Sequence, residues 1–148
     1  FQELGGTYYL DDIVEEGNFD NMRLLDIRTE KHGDIKLEAE RFVLATGSFY
    51  SKGIVATPGK LHEPIFGLDI DGNNDREQWF DEDIFSDQPY MHFGVRCDEQ
   101  FRALMKGNPI ENLHVAGSVL GGANPLKEGS GAGISLLTSL YVTEQLLA

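Results

Sequence analysis

The chain has 148 residues, 41% of them hydrophobic, and a formal net charge of −13. That length and apolar content describe one globular domain with a core of ordinary size, and the acidic balance excludes nucleic-acid binding through a phosphate-neutralising face. A single cysteine, Cys97, rules out an internal disulfide and suits a reducing compartment.

The first fifty residues read as short strands with turns between them. TYYLDDIV (7–14) is rich in β-formers, GNFDN (17–21) predicts a turn and MRLLDIRT (22–29) a second strand. EKHGD (30–34) predicts another turn, and IKLEAE (35–40) alternates apolar and polar residues with period two. An antiparallel meander follows from this pattern. It ends in RFVLATG (41–47), whose apolar run over 42–45 predicts a strand buried on both faces. Thr46 and Gly47 close that strand and leave room at its carboxyl end, the edge where open α/β sheets bind ligands.

From 48 to 109 glycine and proline break the pattern into irregular loops with short strands, as expected of an inserted, substrate-facing cap. Only DEQFRALM (98–105) reads as helical, with Asp98 as its N-cap. Between positions 63 and 87 nine acidic residues accompany the single Arg76. Such a stretch is expected as a solvated loop face or as a contact for a basic partner.

Order returns at ENLHVAGSVLGG (111–122). The run 113–116 predicts a second buried strand able to neighbour the first in one sheet; Gly117 and Ser118 end it, and Gly121 and Gly122 keep the next loop open to close approach. Pro125, Lys127 and GSGAG (129–133) lead into a terminal helix over 134–147, expected to be largely buried through Ile134, Leu137, Leu140 and Tyr141. Bare backbone at a helix start can present its N–H groups to an anion or a polarised oxygen. The spacing excludes a dinucleotide fingerprint, which would need a third glycine where Leu136 stands, and a P-loop, which needs Gly-Lys-Ser/Thr. Tight helix–sheet packing is the structural alternative for these glycines. His32, His62, His92 and His114 are too far apart for metal-site spacing, no apolar run reaches the ~20 residues of a membrane span, and the start at FQELGG without methionine is expected of a piece of a longer protein.

Taken together, RFVLATGSF, HEPIFGLDI, QPYMHFGV and ENLHVAGSVLGGANPLKEGSGAGIS resemble, in one order along nearly the whole chain, the carboxyl-terminal part of the B-subunit family of anaerobic glycerol-3-phosphate dehydrogenases. The resemblance implies an α/β class, α+β in the isolated piece, within a Rossmann-like FAD/NAD(P)-binding flavoprotein fold. It divides the chain into a meander and ATG strand (1–53), an inserted cap (54–109), and a last strand, glycine-rich loop and helix (110–148). It implies FMN, with FAD as the alternative, contacted by Thr46, Gly47, Gly117, Ser118, Gly121, Gly122, Gly131, Ala132 and Gly133, and no metal. Gly117-Ser118 departs from the Gly-Asp of many related flavoproteins, a hydroxyl replacing a carboxylate on the ribityl chain. The family's amino-terminal G-x-G-x-x-G is nowhere in these residues, so the isolated chain is expected to be inactive and to bind flavin weakly.

The reaction so implied oxidises sn-glycerol 3-phosphate to dihydroxyacetone phosphate and passes electrons to a membrane quinone. A partner subunit carries FAD, and another carries iron–sulfur clusters and the membrane contact, which implies a cytoplasmic, peripheral location at the inner face of the membrane. Removing a hydride from a secondary alcohol needs a base for the hydroxyl proton and cations for the phosphate. His62 and His92 are the candidate bases; Lys52, Arg96 and Lys127 are the candidate phosphate partners, Arg96 being best suited to a bidentate contact. The competing readings are an acidic interaction module without redox activity and a related flavoenzyme with another substrate.

Overall fold

The computed structural model describes residues 1–124 and 127–147; Pro125, expected to lead toward the terminal helix, lies outside them. β1 (Val14–Asp20) and β2 (Arg23–Thr29) pair antiparallel around a turn at Asn21 (φ 52°), and β3 (Leu37–Glu38) joins the other edge of β2. The meander is present, but it is shifted along the chain. Residues 7–13 stay outside the ladder because Asp11 turns the backbone at φ 54°; a backbone bond from the Glu30 N–H to the Ile13 carbonyl (2.9 Å) and side chains fasten the segment. The Asp12 carboxylate accepts from the N–H groups of Ile13 and Lys31 and from the Thr29 hydroxyl, beside His32 Nδ1. The turn expected at 17–21 is strand as far as Asp20. A Cβ on Gly17 would stand 2.6 Å from the Phe66 ring and 2.7 Å from Leu24, so close approach explains this glycine.

Two apolar runs distant in sequence meet in the second sheet. β4 (Phe42–Leu44) lies parallel to β10 (Asn108–Val115), Phe42 opposite Leu113 and Leu44 opposite Val115, while β9 (Arg102–Met105) runs antiparallel on the other edge of β10. β4 is not covered on both faces, since Val43 is 47% exposed. β9 replaces the helix expected over 98–105. Asp98 does organise a turn, its Oδ1 accepting from the N–H groups of Gln100 and Arg102, but Phe101 stands at φ 59°. A right-handed helix cannot pass through that conformation, and the chain leaves it extended. Part of the stretch read as an insertion is thereby built into the sheet.

Between the sheet strands, β5 (Val55–Ala56) pairs with β6 (Leu61–His62), and β7 (Ile70–Asp71) with β8 (Gly94–Val95). Leu24 of the meander shares one core with Leu44, Ile110, Leu113 and Val115, so the two larger sheets pack together. Asn112 stitches them. Its buried Oδ1 accepts from the Leu24 N–H (2.9 Å), and its Nδ2 donates to the carbonyls of Leu24 (2.8 Å) and Glu40 (3.1 Å). Asn112→Ala leaves buried backbone groups unpaired and is expected to cost about 2–3 kcal/mol. Denaturant unfolding of the full-length protein measures it, and a midpoint equal to that of the unaltered protein would refute the stitch.

α1 (Gly131–Leu147) begins before position 134, and its burial is not as expected: Leu137 is 68% and Leu140 56% exposed, Val142 being its buried apolar residue. Polar ties help to fix it. The Gly117 N–H donates to Thr138 Oγ1 (2.9 Å), Arg41 donates to the Gln145 carbonyl (3.1 Å), and the Tyr141 hydroxyl to the Glu99 carbonyl (3.2 Å). Among the described residues no helix is long and apolar enough to cross a membrane.

Candidate functional site

Parallel pairing in register brings the carboxyl ends of β4 and β10 together, and both strands end in a glycine turn. Gly47 stands at φ 79° and Gly117 at φ 80°, a region that glycine enters without steric penalty. A Cβ on Gly47 would lie 2.7 Å from Ser51 Oγ and 3.6 Å from Ser118 Oγ, which shows how closely the two ends approach. Ser48 and Ser118, just past the turns, line a cavity of about 440 Å³ together with Gly131 and Ile134 from the start of α1. The bond from Gly117 to Thr138 holds α1 in this position, and Thr138 Oγ1 in turn donates to the Ile134 carbonyl (2.6 Å).

Aromatic side chains make the remaining walls: Phe49, Tyr50, Trp79, Tyr90 and Phe93. Trp79 and Phe93 meet edge to face at 5.8 Å, and Trp79 Nε1 donates to the Asn73 carbonyl, fixing the indole. A cavity with apolar walls and a few polar groups at one edge suits a flat aromatic ligand. This wall was missed in the sequence; its signal was the aromatic density of WF (79–80) and PYMHF (89–93), hidden in a stretch that reads as loop.

The glycines divide by role. Among the described residues, and apart from their chain neighbours and their own helix backbone, Gly131 and Gly133 have no atom within 4 Å of where a Cβ would stand, so tight helix–sheet packing does not explain them. Ser130 O accepts from the N–H groups of Gly133 and Ile134, while those of Gly131 and Ala132 have no partner among the described residues. Gly121 is a packing glycine: its Cβ would lie 2.9 Å from Asp71 Cβ and 3.2 Å from the Gly94 carbonyl, and its N–H donates to Val95 O. Gly122, at φ 86°, donates to the His92 carbonyl (2.8 Å). Thr46 Oγ1 is buried without a partner among the described residues.

The titratable candidates are only partly assembled. His62, on β6, lines a separate polar cavity of about 330 Å³ with Asp69 and Gly72. Lys52 ends the short turn Phe49–Ser51 in the left-handed region, and Arg96 is exposed just beyond β8. His92 and Lys127, by contrast, meet on one carboxylate: Asp87 is 3.0 Å from His92 Nε2 and 3.0 Å from Lys127 Nζ, and accepts from Asn124 Nδ2 at 2.6 Å. Lys127 and then His92 hold the Asp87 carboxyl down at about 2, against burial, which works the other way. A carboxylate with a lowered pKa ties these groups fully above its ordinary value of 3.8 and releases them as the pH falls through about 2. The Asn124 and Lys127 side-chain NMR signals are expected to move in that window and to stay still in Asp87→Asn; movement centred above pH 3.8 would contradict the cluster.

A family model described as an FAD binding domain matches residues 2–134. Similar proteins include the B subunit of the anaerobic glycerol-3-phosphate dehydrogenase of Yersinia enterocolitica, 45% identical over 148 residues, which are 100% of this chain and 35% of that protein. The proteins of the same name from Aliivibrio fischeri and Pectobacterium atrosepticum are each 40% identical over 159 and 147 residues, 99% of this chain and 35% of theirs. The chain thus spans about a third of the length of the curated relatives it matches. No solved structure matches it.

Proposed function

Since the chain belongs to the FAD binding domain family, we propose that it is the carboxyl-terminal part of a flavin-dependent B subunit of an anaerobic glycerol-3-phosphate dehydrogenase. The observation that carries this reading is the convergence of Ser48, Ser118 and Gly131 on one aromatic cavity. The residues there fit a flavin: Ser48 and Ser118 bring hydroxyls to the cavity, and Gly131 leaves open space at a helix start. In the proposed fold, a Rossmann-like flavin-binding domain is built from 1–53 and 110–148, with 54–109 as its cap apart from β9, which joins the sheet edge.

A bound flavin supplies the hydride acceptor for oxidising a secondary alcohol. Thr46 and Ser118 would offer hydroxyls to its polar groups, with Gly47, Gly117 and Gly122 shaping the turns that present them. The N–H groups of Gly131 and Ala132, at the positive end of α1, favour an electron-rich ring edge. Trp79 and Phe93 exclude water. The shared carboxylate of Asp87 supports His92 as the proton acceptor and Lys127 as the phosphate contact over His62, Lys52 and Arg96, which stand apart. Sn-glycerol 3-phosphate is the proposed substrate and dihydroxyacetone phosphate the product. Electrons leave through an FAD-containing subunit and an iron–sulfur subunit to a quinone, in a cytoplasmic assembly at the inner face of the membrane.

Flavin absorbance copurifying with the full-length protein, and glycerol 3-phosphate oxidation on adding its partner subunits, test this reading. Colourless full-length protein would end it. A docking role for the acidic stretch has its own support, because Phe80 on one side and Ile84 and Phe85 on the other stand exposed around Asp81, Glu82 and Asp83. Neutralising those carboxylates is expected to slow association with the partner and flatten its salt dependence without changing flavin content. Unchanged association at low ionic strength would leave the loop a solvated face.

A further inference from the structure

A third cavity, of about 550 Å³, opens at the far end of α1. Gln145 lies at its edge, whereas Gly131 borders the aromatic cavity. At 1.5 Å per residue those two positions are about 21 Å apart along the helix. The walls of this cavity include Arg23, Arg41, Arg102 and His114, with Glu40 and Glu111.

The three guanidinium groups are held unequally. Arg102 is committed to Asp98, with Nε at 2.7 Å and Nη2 at 2.6 Å from Oδ2. Arg23 reaches Glu111 only at 3.7 Å and the Glu40 carbonyl at 3.5 Å, at or beyond the limit of a hydrogen bond. Arg41 gives one bond, from Nη1 to the Gln145 carbonyl at 3.1 Å, and has no carboxylate within reach among the described residues. A guanidinium carries five donors, so Arg23 and Arg41 keep most of theirs for water or a ligand.

His114 adds a buried donor. The residue is 6% exposed, and its Nδ1 is enclosed without a partner among the described residues. Burying an unpaired N–H costs more than burying an unpaired lone pair, so the proton resides on Nε2. Nε2 has no partner among the described residues and is not fully enclosed, which makes it the ring nitrogen on the cavity side. Burial first, then the charges of Arg102 and Arg41, lower the pKa of this ring, Asp98 offsetting part of their effect.

We propose that this cavity is a binding site for phosphate or a phosphate monoester, gripped by Arg41 and Arg23 with the Nε2–H of His114 as a third donor. Planar guanidinium forks match the oxygens of a phosphate, whereas a neutral ligand would leave the donors of Arg23 and Arg41 unmatched. The site is separate from that of a redox substrate, because hydride transfer requires reacting atoms about 3–3.5 Å apart and the aromatic cavity is at the other end of α1. The proposal stands whether or not that cavity holds a flavin.

Calorimetric titration of the full-length protein with inorganic phosphate, and in parallel with methyl phosphate, tests it. Saturable phosphate binding is expected, weakened about tenfold or more in Arg41→Gln and in Arg23→Gln, as for loss of a charge-assisted bond. Both side chains sit at the surface, so melting temperature and flavin content should be retained; His114→Gln, at a buried position, serves only as a third comparison. Equal affinity for methyl phosphate would assign the site to monoesters, and its exclusion would assign it to free phosphate, either result upholding the site. No saturable binding, or isotherms identical in the unaltered protein and both arginine variants, would overturn the proposal.

Discussion

Replacing Gly131 by valine in the full-length protein is expected to strip it of flavin while leaving the fold intact. The backbone at Gly131 is helical and, beyond its neighbours and its own helix backbone, no atom of the described residues stands within 4 Å of the new Cβ, so the substitution meets no clash with them. Valine is also a better helix former than glycine. The melting temperature of the apoprotein should therefore hold or rise slightly. What valine does meet is the cavity that Gly131 lines with Ile134, Ser118 and the aromatic walls, where its branched side chain would take space from a ligand. Crowding of this kind costs about 1–3 kcal/mol in a packed site, equivalent to roughly 5- to 150-fold weaker binding. Gly131→Ala, adding one methyl group, should fall between the two. Flavin stoichiometry and apoprotein melting, measured on the same preparations, decide the matter. A large fall in melting temperature with full flavin occupancy would sink the cofactor reading of GSGAG.

The parts of this site that could be read in the sequence are those governed by local backbone chemistry. Thr46-Gly47 and Gly117-Ser118 mark the ends of two apolar runs, and those runs do pair, parallel and in register. Apolar alternation likewise located β2 and the strand after it. The failures share a different cause. Phe101 breaks a plausible helix because β10 offers the chain an edge to pair with, a long-range option that local propensity at 98–105 cannot reveal. The apolar residues of α1 announce a face that wants cover but not what covers it, and Leu137 and Leu140 remain exposed. The aromatic wall is assembled from three separate loop segments, around Phe49, Trp79 and Tyr90, so no periodicity could expose it.

Glu63 is the sharpest instance, and replacing it should have the largest effect on stability. It opens the acidic stretch that reads as a solvated face, yet it is 1% exposed. Its Oε1 accepts from the Ile65 N–H (3.0 Å), and its Oε2 from those of Phe66 (2.7 Å), Gly67 (2.9 Å) and, more weakly, Leu68 (3.5 Å). One carboxylate thus shapes the loop that delivers Leu68 to the core and Phe66 to Phe19 of β1 at 5.8 Å, edge to face. Glu63→Ala abandons these donors inside the protein and is expected to cost about 3–5 kcal/mol, since each buried donor left unpaired carries its full desolvation penalty. Glu63→Gln keeps the size but has only one acceptor oxygen. With that oxygen in the place of Oε2, the amide NH2 faces the Ile65 N–H, a mismatch of about 1–3 kcal/mol. Asp81→Asn, in the exposed part of the same stretch, is expected to stay within about 0.5 kcal/mol of the unaltered protein. Denaturant unfolding of the full-length variants should therefore rank alanine at 63 below glutamine at 63, and both well below asparagine at 81. Equal midpoints for Glu63→Ala and Asp81→Asn would show that the carboxylate does not anchor the loop.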